Sequence, residues 1–174
     1  MAKICDNNSA GVIIRNNQGE LLLIERKSWP YGMAMPAGHL DGDTSEIGAV
    51  REIAEEVGLN ILSQELVLEK EFDNPCKRTG GDHHRFYVYK AEEWIGKPFI
   101  REEEKDKVRK IIWVSIGKLE LLSARTEEFA DRYGLDPEKD TAPLTRALCD
   151  DKKWQNNPGL EPVWRLILKS LKVI

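Results

Sequence analysis

Apolar residues recur along this chain with a period near two up to about residue 114 and with a helical period beyond it, apart from one helical stretch near residue 50. Gly11 to Asn16 and Glu20 to Arg26 carry Val, Ile and Leu runs around Asn16-Asn17-Gln18-Gly19, which predicts an opening hairpin. Leu21 to Ile24 is apolar without interruption, as in a strand covered on both faces at the centre of a sheet. Further strands are expected over Ile61 to Phe72, His83 to Ala91 and Val108 to Val114. In the helical stretch, Ile47, Val50, Ile53, Ala54 and Val57 fall on one side, and Gly58 is placed to end the helix in a left-handed conformation. Helices are predicted at Ile116 to Leu122, Thr126 to Tyr133 and Leu144 to Cys149. Pro162 opens a last one, with Val163, Leu166, Ile167 and Leu171 along one stripe. Strands followed by flanking helices predict an α/β layer sandwich.

The 174 residues, 41% hydrophobic and 32% charged, suffice for one globular domain with a real core. A net charge of −4 argues against affinity for long nucleic acids, so a small anionic ligand would need a metal ion as intermediary. Met1 to Asn8 has no apolar leader core, and no run approaches the roughly 18 apolar residues of a membrane span, which predicts a soluble, cytoplasmic protein. Cys5, Cys76 and Cys149 are odd in number, widely spaced and free of a CxxC pair. They argue against a disulfide framework or a structural zinc site and for a reducing compartment.

Chemistry enters at Arg51-Glu52-Ile53-Ala54-Glu55-Glu56-Val57-Gly58-Leu59. At roughly 100° per residue, Glu55 lies about 60° to one side of Glu52 and Glu56 about 40° to the other, opposite the apolar stripe. Like charges at i,i+3 and i,i+4 cost about 0.2–0.5 kcal/mol per pair, a penalty that a bound cation would lift. A solvated helix face is the plainer explanation, but from Asp41 to Glu69 the only basic residue is Arg51. Gly48 sits one turn before these carboxylates, where its missing side chain would give room to an ion or phosphate. Upstream, Pro36-Ala37-Gly38-His39-Leu40-Asp41-Gly42-Asp43 reads as a turn whose backbone can approach a ligand closely.

Gly38 to Leu59 resembles the signature of the Nudix hydrolases, which cleave nucleoside diphosphates linked to another moiety. That signature is Gly, five residues, Glu, seven residues, then Arg-Glu-apolar-x-Glu-Glu-x-Gly-apolar, and its second half is matched throughout by Arg51, Glu52, Ile53, Glu55, Glu56, Gly58 and Leu59. In the first half Asp43 stands for the Glu that helps fix the box Arg, and either the loop from Gly38 is one residue short or Ala37 occupies the Gly place. The resemblance implies an α/β/α sandwich with a mixed sheet and extra C-terminal helices, as a single domain: a core over about residues 8–135 and an extension over about 136–174.

It also implies a metal-dependent hydrolase that breaks a pyrophosphate bond in a nucleoside triphosphate, ADP-ribose or similar small phosphorylated nucleotide. Mg2+ prefers oxygen ligands, which suits Glu52, Glu55, Glu56 and a carbonyl of Gly38, and Mn2+ is a substitute. By the resemblance Glu55 and Glu56 are ligands, Glu52 is a ligand or the base that orients water, and Arg51 belongs to the catalytic group. Glu102-Glu103-Glu104 precedes a strand where such enzymes place a further carboxylate; Glu103 or Glu104 would serve, and an ordinary charged loop is the alternative. Arg26 would contact a substrate phosphate, and Trp29 or Tyr31 would stack on a base or simply pack the loop. Cys76, Lys77, Arg78, His83 and His84 surround Gly80-Gly81, read first as a solvated hairpin tip and second as a metal or phosphate loop. The C-terminal helices would close over the pocket or form a homodimer contact. The main rival is a Nudix-like sensor that binds a nucleotide without turnover, marked by the altered half-box; an isopentenyl diphosphate isomerase is weaker, because the Cys and His residues lack its setting.

Overall fold

The computed structural model describes residues 3–174, so Met1 and Ala2, at the start of the segment that lacks a leader core, lie outside it. The described residues form seven strands and five α-helices. β1 (Asn8–Ile13), β4 (Ala37–His39), β5 (Asn60–Phe72) and β6 (His84–Ile95) make a four-stranded sheet in the order β4-β1-β6-β5. β1 runs parallel to β6 and antiparallel to β4, so the sheet is mixed, as the resemblance implied. β2 (Leu21–Arg26), β3 (Gly32–Ala34) and β7 (Val108–Val114) make an antiparallel sheet in the order β3-β2-β7. β2 is its central strand, and Leu21 to Ile24 are wholly excluded from solvent.

The expected opening hairpin is corrected. The turn at Asn16 to Gly19 forms, with Asn16 N donating to Glu20 O (3.0 Å) and Leu22 N to Ile14 O (3.0 Å). Beyond it the two strands part into different sheets. β1 is as buried as β2, Ser9 to Ile13 all being buried on both faces, so each strand needs neighbours on both edges and cover on both sides. β3 and β4, three residues each, carry no strand signal of their own in the sequence.

Helix α1 (Ser45–Glu56) is capped by Thr44, whose hydroxyl accepts from Ile47 N, and it ends before Gly58, which takes φ 69°. Its buried side is Gly48, Ala49, Ile53 and Glu56, whereas Ile47 is 59% exposed. The apolar stripe read from sequence is therefore turned: a carboxylate faces inward because partners await it there. β6 presents opposite faces to two layers, since Tyr89 OH is 2.7 Å from Ser45 Oγ of α1 while Phe86 packs edge-on against Trp164.

Helix α2 (Ile116–Tyr133) is one continuous helix where two were expected, because Ser123-Ala124-Arg125 contains no residue that breaks it. α3 (Thr141–Asp150) and α4 (Lys152–Asn156) follow, α4 without having been foreseen. α5 (Pro162–Ser170) belongs to the main core, which includes Val163, Trp164, Ile167 and Leu168. The segment before it joins β3, Met33 N donating to Gly159 O and Glu161 N to Met33 O, both 2.9 Å. A second apolar cluster gathers Phe129, Ala130, Leu144, Leu148 and Trp154. The C-terminal region is thus built into the core, and α5 spends its apolar face within its own chain. No helix among the described residues is long and apolar enough to cross a membrane.

Candidate active site

α1 and β4 bring the box together. Glu52, Glu55 and Glu56 line a cavity of about 240 Å³ with Gly38 and His39, and Arg26, Glu104, Lys107, Glu161 and Trp164 form other parts of its wall. Gly38 is required by contact: a Cβ there would lie 2.0 Å from Glu52 Oε2, so only a bare backbone lets that carboxylate rest against the strand.

The carboxylates differ in surroundings. Glu56 is 6% exposed; its Oε2 accepts from Ala37 N (2.9 Å) and its Oε1 is 3.5 Å from Arg26 Nη2. Burial pushes its carboxyl up to about 7, against the pull of Arg26. Burial also raises Glu52, opposed by the Arg51 hydrogen bond, and lifts Glu161 to about 7 despite Arg26. Glu55 is half exposed at the rim. Arg26 also donates Nη2–H to Ala37 O (3.1 Å), and its Nε lies 3.0 Å from Glu161 Oε1. That last pair is close but misaligned, so both atoms are buried without a hydrogen bond and the attraction is coulombic. One guanidinium thus faces two buried carboxylates, Glu56 and Glu161, and such an excess of negative charge suits a divalent cation.

Arg51 knits the box from outside the cavity. Its Nε donates to Asp43 (2.8 Å), its Nη1 to Glu52 (2.7 Å) and Glu55 (3.3 Å), and its Nη2 to the carbonyls of His39 (2.9 Å) and Leu40 (3.2 Å). The short acid in the short loop therefore reaches the box Arg. Arg51 itself does not line the cavity and reaches it through Glu52 and Glu55.

Other expectations change. Gly48 makes no room for an ion: a Cβ there would meet Leu40 Cδ2 at 2.7 Å, so the gap is filled by packing. Glu103 is exposed, whereas Glu104 enters the cavity wall, where it pairs with Lys107 (2.8 Å). A short 3₁₀ turn over Glu102–Glu104 sets which acid points inward, something spacing alone does not fix. Arg26 lines the cavity, but its Nη2 and Nε are turned toward protein groups. Trp29 does not reach the cavity, though Pro30 does, and Tyr31 packs on the second apolar cluster. The aromatics in the wall are Phe86 and Trp164, and no local signal marked Trp164 because α5 carries it in from more than a hundred residues beyond the box. Glu161 arrives in the same way.

The structure also draws together cysteines and histidines that lie far apart in sequence, while Lys77, Gly80 and His83 at the hairpin tip are exposed. Gly81 and His84 are buried, and Cys5, His39, Cys76 and His84 place their ligating atoms within 4.8 Å of one another at one end of the cavity. Burial, with Arg78 and His84 beside it, lowers His39 to about 4, and burial raises the Cys5 thiol to about 11. The signals were present in sequence but lay in four separate segments.

The NUDIX domain model matches residues 7–135. Over 97 residues the chain is 36% identical to an 8-oxo-dGTP diphosphatase of Haemophilus influenzae, covering 53% of this chain and 68% of that one. An 8-oxo-dGTP diphosphatase of Escherichia coli is 29% identical over 94 residues, 52% and 69% of the respective chains. The crystal structure of a MutT NUDIX hydrolase from Burkholderia pseudomallei superposes with a TM-score of 0.55 at 26% identity, covering 64% of this chain and 84% of that one. With its box carboxylates gathered on a cavity, the chain belongs to the Nudix family. It is a pyrophosphohydrolase of the kind that acts on small nucleotides, in a family that generally uses divalent metals.

Proposed function

We propose that this enzyme hydrolyses an oxidised purine nucleoside triphosphate to the nucleoside monophosphate and pyrophosphate, with Mg2+ as cofactor and Mn2+ as substitute. The observation that carries this reading is the convergence of Glu52, Glu55, Glu56 and Gly38 on one cavity, where Arg26 faces both Glu56 and Glu161. The choice of substrate class is supported by what the two bacterial relatives are named for.

Glu52 and Glu56 would hold the metal, with Glu55 at the rim and the Gly38 backbone completing the donor set. When bound, the metal screens the phosphate oxygens from the attacking water and steadies the charge of the departing pyrophosphate. Glu104, on the wall across from α1, takes the proton of the water as its oxygen bonds to phosphorus and the bridging P–O bond breaks. Lys107 and Arg78, which also line the cavity, offer cations to the outer phosphates. Trp164, itself buried, backs the cavity wall beside Phe86 and sets its apolar shape. None of the three cysteines is in a disulfide, which supports work in a reducing cytoplasm.

The test is a panel of ordinary and oxidised nucleoside triphosphates, ADP-ribose, dinucleoside polyphosphates and nucleotide sugars, each incubated with Mg2+ or Mn2+ and its nucleotide products resolved by anion-exchange chromatography. Turnover should require metal, favour the oxidised purine triphosphate, and fall by about two orders of magnitude or more in Glu56→Gln and Glu104→Gln. Nucleotide binding without turnover across the panel would replace the enzyme by the sensor.

A further inference from the structure

We propose that Cys5, His39, Cys76 and His84 form a structural zinc site of the Cys2His2 type, separate from the carboxylate metal site and sharing strand β4 with it. Cys5 precedes β1, His39 ends β4, Cys76 lies in the loop from 73 to 83, and His84 begins β6. Cys5 is 7% and His84 1% exposed, and all four donor atoms converge within 4.8 Å.

Three of the donor spacings compare directly with zinc geometry. Tetrahedral zinc with Zn–S about 2.3 Å and Zn–N about 2.05 Å sets S···S at about 3.8 Å, N···N at about 3.3 Å and S···N at about 3.6 Å. Here Cys5 Sγ to Cys76 Sγ is 3.6 Å, His39 Nε2 to His84 Nε2 is 3.2 Å, and Cys5 Sγ to His84 Nε2 is 3.2 Å. The sulfurs are far beyond the roughly 2.05 Å of a disulfide bond, and both cysteines are free.

The surroundings prepare the donors as metal sites do. His84 Nδ1 is 2.7 Å from Asn74 O, which fixes the proton on Nδ1 and turns the Nε2 lone pair toward the cluster. Each sulfur accepts a backbone N–H from two residues on, Asn7 N to Cys5 Sγ and Arg78 N to Cys76 Sγ, both 3.3 Å. Such bonds stabilise a thiolate. Cys5 N donates to Thr79 O (2.9 Å), so the segments bearing the two sulfurs are tied to each other. Gly81 is shaped to the cluster as well, since a Cβ there would stand 2.1 Å from Cys76 Sγ. Zinc entry displaces one proton from each thiol, and two thiolates with two neutral imidazoles leave the filled site with no net charge, which suits its burial.

The ion would also hold the catalytic strand. His39 follows Gly38 directly, and the His39 carbonyl accepts from Arg51 Nη2. The four ligands are therefore positioning residues for the strand on which Glu52 rests.

Reduced wild-type protein stripped of metal is titrated with Co2+ in excess Mg2+, which keeps the carboxylate site occupied. Thiolate-to-cobalt charge-transfer absorption with the strong ligand-field bands of four-coordinate cobalt should saturate at one ion per chain and be bleached by Zn2+. Untreated protein should carry one zinc per chain by elemental analysis. Cys76→Ser should lose both signals, and Glu56→Gln, which cripples hydrolysis, should keep both. Absence of charge-transfer absorption in the reduced wild type overturns the site, as does its persistence in Cys76→Ser. The wild-type titration decides alone if that variant does not fold, and since it reads no turnover, it is indifferent to whether the proposed substrate is right.

Discussion

Glu56 shows what one buried carboxyl does to the behaviour of the site. Its folded pKa lies near 7, above the unfolded value of about 4.5, so its contribution to stability is present below about pH 4.5 and is lost as pH rises through 7. A metal ion competes with that proton. The apparent Kd for Mg2+ should therefore fall about tenfold per pH unit up to about 7 and level off above it, as calorimetric titration across pH 5.5–8.5 will read; a flat profile would place the ion elsewhere. Arg26 is the other pole of this balance. Arg26→Met leaves Glu56 and Glu161 buried without their cation, and urea unfolding at pH 8 should show a loss of about 3–5 kcal/mol. The loss should shrink at pH 5.5, where both carboxyls hold protons. At this scale the sequence was most readable where partners lie three or four residues apart, as in Glu52, Glu55 and Glu56. It was silent where they come from distant segments, as with Glu161, Trp164 and the pairing of Cys5 with Cys76.

Elements with a strong internal pattern were foreseen closely. β7 was expected over Val108 to Val114 and occupies those residues; the box helix, its Gly58 terminus and the central burial of β2 likewise follow from local periodicity and capping. β3 and β4 were missed because three-residue strands exist only through their pairing with β2 and β1, which no short window of sequence encodes. The turn between β4 and α1 carries its own test. Asp43 reaches Arg51 at 2.8 Å and its side chain is about one-third exposed, so Asp43→Glu has room to keep the contact and should stay within about twofold of wild-type kcat/KM. Asp43→Ala frees Arg51 from one of its five acceptors and should cost about tenfold in kcat/KM. Its melting temperature should hardly move, because so exposed a pair adds little stability. A large loss in Asp43→Glu would show that the shortened loop demands the shorter acid.

Across the whole molecule, the family match ends at residue 135 while the main core does not. Leu160, Val163, Trp164, Ile167 and Leu168 are all within 1% of full burial in it. A chain cut after residue 135 should fail to give a cooperative thermal transition, and recovery of one would show that the last third is dispensable to the fold. In the full chain, Trp164→Ala should cost about 3–5 kcal/mol and raise KM more than it lowers kcat, since the ring walls the cavity without touching the carboxylates' chemistry.

Because the same late segment supplies both core and wall, birth order matters. While residues 160–168 are still inside the ribosomal tunnel, the emerged part of the polypeptide has neither a finished interior nor a whole binding cleft. Nucleotide in the cell cannot then act as a template for the growing polypeptide, and the first catalytic cycle must wait until translation has passed that point.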